Sequence, residues 1–234
     1  MVAILVVSTI ILFVAADLVV QWVRRYRVQP APVPPRAAGV ADLLVPSLQP
    51  ERFVLPAGIF FSRGHTWANL LFSGQVKVGV DDFLQKLLGR VDAVTLPPLG
   101  VTVKQGDPLV VIRQGGRTAM LPAPVDGVVC AVNSELEKAP GLLKRDPYTR
   151  GWLVALRPTN LAANLSRMAV GESALTWLKG ELARFREYLF VTLTLKRDAL
   201  VGATAADGGL LADGLLEHLD DETWTDFQAK FLRA

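Results

Sequence analysis

From Phe53 to about Asn160 the chain is cut into short apolar runs by turn-forming residues, and that texture constrains the fold more than any other feature. "QVKVGV" alternates; "GRVDAVTLP", "PLVVIRQ", "TAMLPAPVDGVVCAV" and "WLVALRP" follow, separated by Gly, Pro, Asp and Asn at short intervals. Many short strands at regular spacing predict a mainly β architecture, a sandwich or barrel. One helix interrupts them. Asp81 is a good N-cap for "DFLQKLLG", where Phe83, Leu84, Leu87 and Leu88 share a face and Gly89 stops the helix.

Within that region, "VIRQGGRTAMLPAPVDGVV" (111–129) has the shape of a β-hairpin. Gly115-Gly116 is a favoured two-residue turn, so Arg113, Gln114, Gly115, Gly116 and Arg117 form a presented tip. Arg113 and Arg117 make it cationic. Such a tip could dock on an acidic partner surface or on anionic headgroups, or simply be solvated.

The N-terminus has another character. Val2 to Val23 is almost wholly apolar, with Asp17 and Gln21 as strong interruptions near its far end. As a helix it would reach about 33 Å, enough to cross a hydrocarbon core of about 30 Å. A cleaved signal peptide would begin with positive charge and be shorter, whereas here "RRYR" follows the apolar run. The expectation is a single membrane-spanning helix with Trp22 and Tyr26 at the interface and the C-terminal bulk in the cytoplasm. Residues 1–27 then comprise the span and its basic flank. Residues 28–52 form a Pro-rich linker, an extended spacer between membrane and domain.

Charge and motifs exclude more than they suggest. Lys and Arg number 25 against 22 Asp and Glu, a net charge of +3, and they are scattered, which argues against nucleic-acid binding. Cys130 is the only cysteine, so an internal disulfide and Cys-rich zinc sites are ruled out. His65 reads as a packed core histidine and His218 as a surface one. No metalloprotease, nucleophile-elbow, phosphate-loop or dinucleotide motif stands in a supporting context. No catalytic residue, metal site or small-molecule substrate is expected.

"GHTWANL" (64–70), "VGVDDFLQKLLGRV" (78–91), "LPPLGVTVKQGDPLVVI" (96–112) and "LPAPVDGVVCAVNSELEKAPGLLKRDPYTRGWLVALRPTN" (121–160) resemble the glycine cleavage system H protein in order and spacing. The resemblance covers roughly residues 58–160. It implies a lipoyl-type hammerhead, two antiparallel sheets around one core, for a domain spanning 53–162. In that family the hairpin carries a lysine whose amide-linked lipoate swings between enzymes. Without a gap, the lysine position falls on Gly116, and the family's flanking acidic positions hold Arg113 and Met120. Glycine cannot be acylated, and the Arg117 guanidinium is a poor nucleophile. The resemblance thus implies a member with no lipoyl cofactor at the usual position. Lys77, Lys86, Lys104, Lys138 and Lys144 stand elsewhere, on strand, helix or loop positions.

Residues 163–234 form a mainly helical extension. Ser173 can cap "ALTWLKGELARFREYLF", whose Trp177, Leu178, Leu182, Phe185 and Leu189 fall at helical spacing. "VTLTL" (191–195) alternates as a strand. "LLEHL" and, capped by Asp221, "TWTDFQAKFL" read as two short helices presenting Leu215, Leu219, Trp224, Phe227 and Phe231. These apolar residues either join the core or bind a partner. Asn164-Leu165-Ser166 is formally a glycosylation sequon, silent in the cytoplasm.

Three functions are consistent with these features. One is a non-catalytic, membrane-anchored scaffold or accessory subunit with protein partners. Another is a lipoyl carrier that uses a different lysine. The last is an adaptor of the transport type, which usually inserts a helical hairpin between the barrel halves.

Overall fold

The computed structural model describes residues 50–195 and 214–233. The expected membrane-spanning segment Val2–Val23 and most of the linker lie outside the described residues. Among the described residues, no helix is long and apolar enough to cross a membrane.

The expected β architecture is present as two antiparallel sheets. The larger joins β1 (Phe60–Phe61), β2 (Thr66–Leu70), β3 (Val76–Val80), β9 (Val154–Pro158), β8 (Gly127–Val132) and β5 (Thr102–Val103), in that spatial order. The smaller joins β4 (Ala93–Thr95), β6 (Pro108–Gln114) and β7 (Arg117–Pro122), leaving β7 at an edge. Alternation decides which side chains turn inward. Val76, Val78, Val154, Leu156 and Val129 from the larger sheet meet Val94, Val110, Ile112, Ala119 and Leu121 from the smaller one in a single cluster. Cys130 sits at a register shift in β8, where its thiol donates to the Ala155 carbonyl at 3.2 Å.

Helix α1 (Asp82–Leu87) begins as the sequence predicts, with the Asp81 carboxylate accepting the Leu84 N–H at 2.8 Å. Its Phe83, Leu84 and Leu87, with Leu88 just past its end, are buried. Short helices α2 (Glu135–Lys138) and α3 (Leu142–Arg145) follow β8, and α4 (Leu161–Leu165) follows β9. Tyr148 ties the entering chain to α1, donating to the Val54 carbonyl at 2.7 Å and accepting the Asp82 N–H at 3.0 Å.

The extension departs from the sequence reading in three places. Residues 191–195 are not a strand but the last part of α5 (Glu172–Leu195). The buried stripe of Leu178, Leu182, Phe185 and Leu189 continues to Thr192 at helical spacing, so packing overrides the mild strand preference of Val191 and Thr192. Ser173 lies inside α5, its hydroxyl reaching back to the Val170 N–H at 2.9 Å. A one-turn 3-10 segment, Leu215–His218, then leads to α6 (Asp221–Phe231). The cap of α6 is Asp220, which accepts the Thr223 N–H at 2.8 Å; Asp221 is already helical and its carboxylate is used elsewhere.

Leu215, Leu219, Trp224, Phe227 and Phe231 are all buried in the same cluster as the two sheets. Phe231 lies among Phe227, Tyr188, Phe185 and Phe83, with ring centroids at 5.1, 5.5, 5.6 and 6.5 Å. The extension therefore completes the core, and Trp224, Phe227 and Phe231 are not available as a partner-binding face.

Candidate functional site

The hairpin singled out in the sequence is formed by β6 and β7, with Gln114 paired to Arg117 across a two-residue turn. Gly115 and Gly116 have φ of 55° and 84°. Both values are left-handed, as a type I′ turn requires, which explains why two glycines occupy the apex. A Cβ placed at Gly116 would meet nothing within 4 Å, so the constraint there is backbone conformation and not space. The strands meet directly, with no inserted helical hairpin.

The apex is fastened on one side by Asp92, whose carboxylate accepts the Gly115 N–H at 2.7 Å and pairs with Arg90 at 3.0 Å. These contacts, the Gly115 bond first and the Arg90 side chain next, hold the Asp92 carboxyl below its ordinary value of 3.8.

On the other side the C-terminal extension takes up the tip residues. Arg117 donates to the Asp221 carboxylate at 2.7 Å and to the Glu217 carbonyl at 3.3 Å, and its guanidinium lies 5.9 Å from the Trp224 ring centre. Gln114 is buried, its amide oxygen accepting from Gly89 N–H at 2.9 Å and Glu217 N–H at 3.3 Å. Gly214, with φ of 93°, packs so closely on Gly89 that a Cβ would lie 2.8 Å from the Gly89 Cα. Of the two arginines read as a cationic tip, Arg113 is exposed and has no side-chain bond to the described residues of the extension.

The edge of β7 is also occupied. Trp224 Nε1 donates to the Thr118 carbonyl at 3.0 Å, and Gln228 Oε1 accepts the Met120 N–H at 3.3 Å. A helix thus satisfies, through its side chains, the backbone groups that an edge strand would otherwise leave to water. These contacts span more than 100 residues of sequence, so no local pattern announces them.

The remaining candidates have structural roles. His65 is wholly buried, its Nδ1 2.8 Å from Asp81 Oδ2 and its ring stacked on Phe83 at 4.5 Å. His218 is exposed. Among the described residues, no group of three His, Cys, Asp or Glu side chains could hold a metal. Asn164 of the sequon is buried, accepting the Asp126 N–H at 2.9 Å and donating to Gln105 at 3.2 Å, so its side chain is committed to packing the Pro124–Gly127 turn. Lys77 lies over Trp152, Lys86 is bound to Asp82, and Lys144 donates to the Leu88 carbonyl. Lys138 and Lys104 are exposed, Lys104 with its Nζ 4.0 Å from Asp126.

The family described as "Glycine cleavage H-protein" matches residues 59–179. A "Probable glycine cleavage system H protein" of Thermococcus kodakarensis is 38% identical over 122 residues, which are 52% of this chain and 90% of the relative. The "Glycine cleavage system H protein" of Opitutus terrae is 35% identical over 108 residues, covering 46% of this chain and 85% of that protein. A glycine cleavage system H protein of Mycobacterium marinum, solved by crystallography, is 27% identical, with a TM-score of 0.45 over 54% of this chain and 99% of its own. The chain belongs to the glycine cleavage H-protein family, whose members are carrier domains and not themselves enzymes.

Proposed function

We propose that this chain is a non-catalytic docking module of the H-protein family, a scaffold or accessory subunit of a membrane-associated complex that carries no lipoyl group at Gly116. It is held at the membrane by Val2–Val23 with its domain in the cytoplasm. The observation that carries this reading is the hairpin apex. Where the family resemblance places a modifiable lysine, a Gly-Gly turn stands, pinned by Asp92 and flanked by Gln114 and Arg117, both committed to the C-terminal extension. A tip fastened on both sides suits a fixed surface better than a swinging arm.

Two measurements on the native protein test it. Intact mass should show no lipoyl increment, and purification from native membranes in mild detergent should bring down integral membrane subunits. A lipoylated mass would refute the reading, as would recovery of the chain from the soluble fraction alone.

A second reading is favoured by the names of the relatives at 35 to 38% identity: a lipoyl carrier using another lysine. Lys104, exposed at a turn, is the position to examine. Replacing it should then abolish modification of the native protein.

A further inference from the structure

Beside the hairpin apex, α1, the loop after it and α3 enclose an open cleft of about 570 Å³ lined by Gln85, Lys86, Arg90, Val91, Gly141, Lys144 and Arg145. Four of these seven residues are basic and none is acidic. We propose that this cleft is the interaction surface of the module and that it receives an acidic segment of a protein partner.

The cations are positioned and not merely gathered. Lys86 is anchored by Asp82 at 2.7 Å and by the Arg52 carbonyl, with its ammonium 4.9 Å from the Phe53 ring centre. Arg90 is held by Asp92 at 3.0 Å, and its backbone N–H by Glu217 at 3.3 Å. Lys144 donates to the Leu88 carbonyl at 2.5 Å. Arg145 is exposed at the end of α3. The carboxylates that steady Lys86 and Arg90 do not line the opening, so an approaching group meets ammonium and guanidinium heads already oriented. That reduces the ordering cost of binding.

Size and position choose the occupant. The volume exceeds what one phosphate needs and suits a few side chains. The cleft is also continuous with the hairpin, because Asp92 binds both Arg90 at its rim and Gly115 at the apex. Since Arg117 is consumed by the extension, this cleft and the neighbouring Arg113 carry the cationic character that the sequence assigns to the tip.

The inference rests on the docking-module reading, and its test is separate from co-purification. Full-length protein in nonionic detergent is titrated with a fluorescently labelled oligoglutamate peptide, at about 50 mM and about 300 mM salt, since screening sharpens between them. The expected result is binding that weakens with salt and falls roughly tenfold in R90Q/R145E, as loss of steering and contact charges requires. Arg113→Glu, which changes a neighbouring charge that lines no part of the cleft, should weaken binding by less than R90Q/R145E does. Absence of peptide binding at low salt overturns the proposal, as does binding undiminished in R90Q/R145E. Binding of pyrophosphate or of phosphatidylserine vesicles without the peptide would assign the cleft to phosphate groups and overturn it too. Should the peptide bind while no partner co-purifies, the docking-module reading fails and the cleft stands.

Discussion

Replacing Phe231 with Ala tests whether the extension and the barrel form one cooperative unit. Phe231 is 1% exposed and touches rings from α1, α5 and α6 at 5.1 to 6.5 Å, with the Arg184 guanidinium 4.5 Å from its own ring centre. Truncating a fully buried Phe costs about 3–5 kcal/mol, the transfer of the ring plus the cavity left behind. Its edge-on contacts with Phe185 and Tyr188 would be lost as well, at about 0.5–1.5 kcal/mol each for well-formed pairs. The neighbouring rings can relax partly into the space, so a loss of about 4 kcal/mol is expected. Urea unfolding of the full chain in mild detergent, followed by tryptophan fluorescence, should show a lower midpoint with an unchanged slope. Amide exchange then reports on the hairpin: Met120 N–H should exchange with the same free energy as the core. A loss under about 1 kcal/mol would refute the single-core argument, because a surface-docked tail could be cut back without unfolding the sheets.

Trp224→Phe keeps most of the ring but removes the donor to the Thr118 carbonyl, so unfolding should show a loss of about 1–2 kcal/mol, and no measurable change would make that bond irrelevant. Gly116→Lys should fold with a loss of about 1–2 kcal/mol from left-handed backbone and not from a clash; a loss above about 3 kcal/mol would contradict the open space around the apex. The folded pKa of Asp92 is depressed below 3.8, so its contribution to stability is fully present above that ordinary value and is lost as pH falls through the lowered one. The Gly115 amide resonance should follow that titration, and its inflection should move up toward 3.8 in Arg90→Gln.

Much of the domain can be read locally. Period-two alternation marks β3, short apolar runs between turn residues mark β6 and β7, the Asp81 cap marks α1, and Gly115-Gly116 marks the hairpin turn, because each is set by neighbours within a few residues. What escapes is decided at long range. The run 191–195 alternates like a strand, yet the core it meets continues the helical stripe of Leu182, Phe185 and Leu189. Two consecutive aspartates stand where α6 begins; Asp221, read from the sequence as the cap, is the first helical residue and pairs with Arg117, and Asp220 caps the helix. The cationic tip is misread for the same reason. Arg117 looks free until residues 217 to 224 come alongside.

The bonds that fasten α6 to β7 have a consequence for how this protein can vary. Trp224 and Gln228 bind the carbonyl of residue 118 and the N–H of residue 120, while the Thr118 and Met120 side chains point into solvent. A lock that grips main chain is indifferent to the letters written there. Positions 118 and 120 are free to drift through almost any residue, proline at 120 excepted since it has no N–H to give. The burden of constancy falls on the two residues doing the gripping, so a library randomised at all four positions should recover Trp224 and Gln228 with near-arbitrary company on the strand.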